Sequence, residues 1–207
     1  MTEPLSAFLK LTIDRPDLVR WLDAPTPDPA RWSDWRDIGG EWYLSADRSL
    51  ATISEAELSE SCEAAGSILG VGNSWGIHNR AALRRLLHGS PPECCRIAYD
   101  AETRTFLAGT LLFDENLYSF LAFLTLARGA ADCLGLEGRG VAVINDYVFG
   151  PAEDATAALE LGPAGRSRLL PQGSRGDAVA VFQPLANELM TETDDPPDPV
   201  DQLDELR

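Results

Sequence analysis

The sequence predicts an α+β protein with a mixed, mainly antiparallel sheet of four to five strands, a central buried helix and flanking helices. Residues 96–149 hold the densest apolar sequence, and at Leu117 their composition changes to Leu, Ala and Phe with few β-branched residues. That order predicts strand, turn, strand, helix, strand. The 207 residues suit one domain of ordinary size. We expect a globular domain over 1–190 and a disordered acidic tail over 191–207.

The N-terminal segment 1–30 is predicted to be helical and to pack on this domain. Pro4–Ile13 carries a short apolar stripe at helical spacing. Pro16 suits the first position of a second helix. A proline-rich linker over 25–29 then ends the helical segment.

Three tryptophans, Trp32, Trp35 and Trp42, fall within eleven residues. Aromatic residues so concentrated can form a recognition patch, because Trp gives a large contact area at little entropic cost. The alternative interpretation is that they clamp the N-terminal helices onto the sheet. Glu41–Ser45 is predicted to be a strand.

Two helices are predicted in the next part of the chain. Ser54 and Glu57 match a capping box at the start of the first, which has one apolar and one acidic face. Asn79 is expected to cap the second. Arg84 and Arg85 lie on its outer side, where they can grip an anion or pair with local carboxylates.

A β-hairpin is predicted from Ile97–Asp100 and Thr105–Phe113, which flank a polar connector at 101–104. The Asp100 carboxylate is placed to accept from backbone amides two residues later. Both faces of the second strand are largely apolar, which is typical of a central strand covered on both sides.

The central helix is predicted over Leu117–Leu134, with Asp114 as its N-cap and Gly135 as its stop. More than one of its faces is apolar, which indicates a buried helix. Its apolar run ends at Ala127, well short of the roughly 20 residues that span a bilayer. We therefore expect no contact with a membrane.

A third strand is predicted over Val141–Phe149, where Asn145 and Asp146 interrupt the apolar run. A carboxylate inside an apolar strand is costly unless it is paired or exposed. One interpretation makes Asn145 and Asp146 part of a ligand site, together with Arg84 and Arg85. In the other, the strand ends near Ile144 and the Asn–Asp pair lies in a turn.

Shorter elements follow. Glu153–Leu161 fits a short helix or a strand, Asp177–Gln183 alternates enough to be an edge strand, and Pro184–Met190 is predicted to be helical. The tail over 191–207 has seven acids and one base and almost nothing to bury, which predicts disorder. Its candidate interaction residues are Asp194, Asp195, Asp198, Asp204 and Glu205.

The net charge of −16 bounds the kind of partner. It argues against binding nucleic acid through phosphates and against anionic membrane surfaces. It permits a basic protein partner, although charge of this size also serves solubility.

The four cysteines, Cys62, Cys94, Cys95 and Cys133, show neither a disulfide framework nor a Cys-x-x-Cys spacing. The N-terminal residues lack the features of a secretory signal. Both observations predict a reducing cytoplasm. No metal-ligand spacing and no cofactor motif is found, so we expect neither a metal nor a cofactor.

The leading functional hypothesis is a cytoplasmic acidic binding protein that masks a basic surface of a protein partner. Immunity proteins against bacterial toxins and secretion chaperones are similar in size and charge. No nucleophile–base order, nucleotide loop or catalytic carboxylate pair is present in the sequence, which shifts weight away from an enzyme. Two alternatives stay open: a ligand-binding protein or enzyme with a site near Asn145 and Asp146, and a structural component of a larger assembly.

Overall fold

A computed structural model describes residues 5–38, 50, 52–72, 77–87, 91–114, 116–145, 155–191 and 199–206. Within these ranges one sheet contains β1 (Leu5–Thr12), β2 (Cys95–Asp100), β3 (Thr105–Phe113), β4 (Arg139–Asn145), β5 (Ala155–Leu161) and β6 (Ser167–Leu169). The helices are α1 (Arg15–Asp23), α2 (Glu55–Leu69), α3 (Asn79–Leu87), α4 (Leu117–Ala130), α5 (Arg175–Ala180), α6 (Gln183–Leu189) and α7 (Pro199–Asp204). The α+β class is confirmed. The sheet has six strands rather than four to five, and each of its pairings is antiparallel.

The strand order is β2-β3-β1-β4-β5-β6, which puts β1 in the interior of the sheet. The prediction of a helix over Pro4–Ile13 is therefore wrong for the described residues from Leu5 onward. An apolar run that is buried on both sides fits either a strand or a buried helix, and periodicity alone does not separate them. Pairing with β3 on one side and β4 on the other decides for the strand.

The sheet is covered on both faces by separate hydrophobic clusters. Alternate residues of β1, Ala7, Leu9 and Leu11, belong to the larger cluster with α1, α2, α3, α4 and α7. Phe8 points to the opposite face and stacks on Phe182, with ring centroids 5.4 Å apart. The second face is covered by α5 and α6.

The predicted edge strand at Asp177–Gln183 is wrong, because this segment overlaps α5 and the start of α6. Ala178, Val179 and Phe182 are buried at helical spacing against the second face of the sheet. The alternation of small and apolar residues in the sequence fits both periods, and the contact with Phe8 selects the helix.

α4 is the buried helix that the sequence predicts. Its residues Phe120, Leu121 and Leu124 are at most 1% exposed. The N-cap is Asn116, whose side chain accepts from the Tyr118 amide at 2.8 Å, rather than Asp114. The helix also ends at Ala130, earlier than the predicted Leu134.

Two short-range signals are placed as predicted, whereas Asn79, the expected cap of its helix, is instead the first residue of α3. The Asp100 carboxylate accepts from the amides of Glu102 and Thr103 in the turn between β2 and β3. Ser54 and Glu57 form the complete capping box of α2. Of the open alternatives, the segment before residue 162 is the strand β5, while the predicted strand Glu41–Ser45 lies outside the described residues.

The C-terminal segment corrects the prediction of a disordered tail over its described part. α7 packs against α3 and β2. Leu203 is fully buried and Leu206 is 7% exposed, both in the larger core cluster. Arg80 donates to the carbonyl oxygens of Leu203 and Leu206, and Arg84 pairs with Asp204 at 2.6 Å. Two leucines and two arginines thus hold in place a segment whose composition alone predicts disorder.

Among the helices of the described ranges, none is both long enough and apolar enough to cross a bilayer.

Candidate functional site

A cleft of about 500 Å³ opens between α2 and residues 28–35, a segment that comes before α2 in the chain. We call it the acidic cleft. Three carboxylates and two indoles line it, together with small and apolar residues: Asp28, Ala30, Trp32, Ser33, Trp35, Glu55, Leu58, Ser59, Cys62, Glu63, Gly66 and Val71. No Lys or Arg is among these lining residues.

The wall formed by 28–35 is built from a short 3₁₀ helix, Pro29–Arg31. The Asp28 carboxylate caps it by accepting from the Ala30 amide at 2.9 Å, and proline occupies its first position. The Trp35 indole donates to the Pro29 carbonyl oxygen at 2.9 Å. These local bonds hold both the carboxylate and the indole in place before any ligand arrives.

Beneath this wall lies Arg128 of α4, whose side chain is fully buried. Its guanidinium binds both carboxylate oxygens of Asp34, at 2.6 and 2.8 Å. Its central carbon lies 4.4 Å from the Trp35 ring centroid and 5.4 Å from that of Trp32. Arg31 covers Trp32 as well, at 5.1 Å. The cation–π contacts and the ion pair fix both indoles on the core.

The opposite wall is one side of α2, where Glu55 and Glu63 line the cleft. The whole helix has four glutamates and no basic residue. Two of them have structural partners: Glu57 completes the capping box, and Glu55 pairs with Arg36 at 2.9 Å. Arg36 also donates to the carbonyl oxygens of Leu50 and Ile53. Glu63 is exposed and lines the cleft about two helical turns after Glu55.

Cys62 lies in the cleft but is only 6% exposed. Burial raises the pKa of its thiol above the ordinary value, and the negative charge of Asp28 adds to that increase. A thiol with a raised pKa stays protonated at neutral pH, so it is a poor nucleophile. The cleft therefore offers carboxylates and aromatic rings, not a reactive sulfur.

This combination can hold a cation. Carboxylates accept charge-assisted hydrogen bonds from guanidinium or ammonium groups. The two indoles already lie against Arg31 and Arg128, so the carboxylates are the groups that would hold the cation. The volume of the cleft accommodates a long basic side chain with part of its backbone.

The three predicted tryptophans have different outcomes. Trp35 is 1% exposed, so it supports the clamp interpretation and not an exposed recognition patch. Trp32 is half-buried and forms part of the cleft wall. The rings of Trp32 and Trp35 meet edge to face at 6.1 Å. Trp42 lies outside the described residues.

The predicted ligand site combines Asn145 and Asp146 with Arg84 and Arg85. The contacts described for members of this set are with other residues and not with one another. Asn145 ends β4, opposite Ser6 of β1. Arg84 pairs with Asp204, and Arg85 donates to the Ile68 carbonyl oxygen at 3.0 Å. Asp146 lies outside the described residues, so a ligand site there stays a prediction.

The acidic interaction residues predicted in the tail divide in the same way. Asp204 is engaged by Arg84, and the Glu205 carbonyl oxygen accepts from Arg15 at 3.1 Å. Asp194, Asp195 and Asp198 lie outside the described residues. Within the described part, the tail is a packed element with a salt bridge to α3.

Sequence reasoning missed three members of the site, namely Asp28, Asp34 and Arg128. A usable signal existed for Arg128, since a single arginine in an otherwise apolar helix needs a partner. The acidic face of α2 was visible in the sequence. Its position beside Trp32 was not, because the two segments are separated in the chain.

In the described part of the chain, no three His, Cys, Asp or Glu side chains are grouped so that they could hold a metal ion. Comparison with family models, curated proteins and solved structures finds no match to this chain. Function is therefore inferred from the chemistry of the site.

Proposed function

We propose that this chain is an acidic, non-catalytic binding protein that covers a basic surface of a protein partner. Its role is then like that of an immunity protein or a secretion chaperone. The observation that carries the proposal is the lining of the acidic cleft, which has three carboxylates, Asp28, Glu55 and Glu63, and no Lys or Arg. Glu55 already pairs with Arg36, so Asp28 and Glu63 supply the charge for a partner. The net charge of −16 supports the same kind of partner.

In this proposal, an arginine or lysine of the partner enters the acidic cleft. Hydrogen bonds between charged groups contribute about 1.5–3 kcal/mol each when they are shielded from water. Because these contacts are prearranged by the Asp28 cap and the Trp35 hydrogen bond, little ordering of the cleft accompanies binding.

A cytoplasmic location belongs to the same proposal. All four cysteines are free thiols, three of them buried. Free thiols persist in a reducing compartment, whereas secreted proteins with several cysteines usually pair them.

The proposal is tested by capturing partners from the source cell with the full chain, at low and at physiological salt. We expect a basic protein to be recovered and its association rate to fall as salt rises. The reason is that the Debye length shortens from roughly 30 Å at 0.01 M to 8 Å at 0.15 M, which removes long-range attraction.

Charge reversal separates the acidic cleft from the overall field. Glu63→Arg changes a cleft residue, and Glu102→Arg makes the same change in an exposed turn between β2 and β3. Both leave the net charge at about −14, since each replaces −1 by +1. Glu63→Arg should abolish capture and Glu102→Arg should preserve it. Equal capture by the two variants, or recovery of no basic protein, would contradict the proposal.

A further inference from the structure

A second cleft of about 600 Å³ lies at the end of the sheet where β4 begins and β5 ends. Its walls are Gly138 and Arg139, the residues around the β5–β6 turn, and the indole of Trp32. We call it the basic pocket. It contrasts with the rest of this acidic chain, because three arginines, Arg139, Arg166 and Arg168, line it against a single carboxylate.

That carboxylate, Glu160, is engaged by Arg168 across the β5–β6 pair at 2.7 Å. Within the described residues, neither Arg139 nor Arg166 forms an ion pair with an acid. A chain with 33 acids and 17 basic residues offers many carboxylates for neutralising an arginine. Two guanidinium groups without such a partner line the same cleft and therefore make it locally positive.

The turn that carries Arg166 is held rigidly by the core. Gly162 donates to the Arg166 carbonyl oxygen at 2.8 Å, and Gly165 donates to that of Ala131 at 3.0 Å. Gly165 adopts a φ of 72° and packs so closely that a Cβ there would lie 2.7 Å from an oxygen of Asp132. Arg31 in turn binds Asp132 with two hydrogen bonds.

The Arg166 side chain is prearranged by this turn. Its Nε donates to the Pro163 carbonyl oxygen at 3.1 Å. Its guanidinium also lies over Gly162, with Nε and one terminal nitrogen 3.7 Å from where a Cβ would be. The backbone uses its Nε–H, and the described residues give its terminal nitrogens no carboxylate partner.

We infer that the basic pocket binds a small phosphate-bearing anion. The planar, forked guanidinium donates two parallel hydrogen bonds to phosphate oxygens, and its charge persists at every physiological pH. The cleft volume lies in the range typical of small-ligand sites. The net charge of the chain repels anions at long range, so the local pair Arg139 and Arg166 must supply the attraction at short range.

The test is calorimetric titration of the full chain with sodium pyrophosphate at low ionic strength. Arg139→Gln and Arg166→Gln should each weaken binding by about tenfold or more, since one charged hydrogen bond of 1.4 kcal/mol corresponds to a factor of ten. Arg96→Gln is the matched control, because it removes the same charge from β2 at the opposite edge of the sheet. It should leave the affinity unchanged within about twofold.

Thermal melts without ligand show whether each variant is folded. The double variant Arg139→Gln/Arg166→Gln should lose measurable binding of pyrophosphate and keep its melting temperature. Absence of pyrophosphate binding by the wild-type chain overturns the inference. So does an equal loss of affinity in Arg96→Gln. Sodium succinate is the third arm: binding as tight as that of pyrophosphate, with the same dependence on Arg139, overturns the assignment to phosphate.

Discussion

Arg128 binds Asp34 through both of its terminal nitrogens, at 2.6 and 2.8 Å, and the two residues differ sharply in exposure. The Arg128 side chain is fully buried, whereas that of Asp34 is 36% exposed. The ion pair therefore joins the core helix α4 to the segment that forms one wall of the acidic cleft. Its loss should affect stability and the acidic cleft together.

Unequal costs are expected when either partner is removed. Asp34→Asn leaves a buried guanidinium without its carboxylate and should cost about 3 kcal/mol of unfolding free energy. Arg128→Met should cost less, because the partly exposed Asp34 can be hydrated and Met fills the space beside the two indoles. Urea denaturation of both variants measures the difference. A smaller cost for Asp34→Asn than for Arg128→Met would contradict the burial argument.

Leu121 lies at the centre of α4 with no exposed surface. Leu121→Ala should cost about 2–5 kcal/mol, the usual range for truncating a core leucine. Leu112 of β3 is 38% exposed and provides the control, since Leu112→Ala should cost about 0.5 kcal/mol. Guanidinium chloride midpoints check both. An unchanged midpoint for Leu121→Ala would show that α4 has been misplaced.

The docked C-terminal segment makes a prediction opposite to that of a disordered tail. Leu203→Ala should cost about 2–5 kcal/mol, because Leu203 is fully buried in the larger core cluster. Glu205→Gln, at an exposed position in the same segment, should leave stability within about 0.5 kcal/mol. Thermal unfolding followed by circular dichroism compares the two. Equal melting temperatures would mean that α7 does not pack on the domain.

The Asp100 turn should give a pH-dependent contribution. Hydrogen bonds from the Thr103 hydroxyl and then from the Glu102 and Thr103 amides lower the pKa of Asp100. A lowered folded-state pKa stabilises the fold above the unfolded pKa, and the gain is lost as pH falls through the folded value.

Asp100→Ala should therefore lower the melting temperature most near neutral pH, and the difference from wild type should shrink in acid. Melting curves between pH 7 and pH 2 are the measurement. Glu102→Ala serves as the control, because it removes an exposed side chain from the same turn. A difference that is constant with pH would show that the Asp100 charge has no part in it.

Features whose partners lie a few residues away were predictable from the sequence. The Asp100 turn and the Ser54–Glu57 capping box need only local hydrogen bonds, which residue types and spacing specify. The burial of α4 was also predictable, because apolar residues cover it on all sides. Of the candidate site, the acidic face of α2 and the clustered tryptophans could be seen in advance.

Elements whose partners are distant in the chain could be identified only from the folded structure. Leu5–Thr12 is a strand because β3 and β4, both about a hundred residues or more later in the chain, supply its hydrogen bonds. Arg128 binds Asp34, beside one wall of the acidic cleft, across 94 positions of the chain. Arg80 and Arg84 bind the α7 segment across more than a hundred. An apolar or acidic run is compatible with several local conformations of nearly equal free energy. Long-range contacts in the folded chain stabilise one of these local conformations over the others.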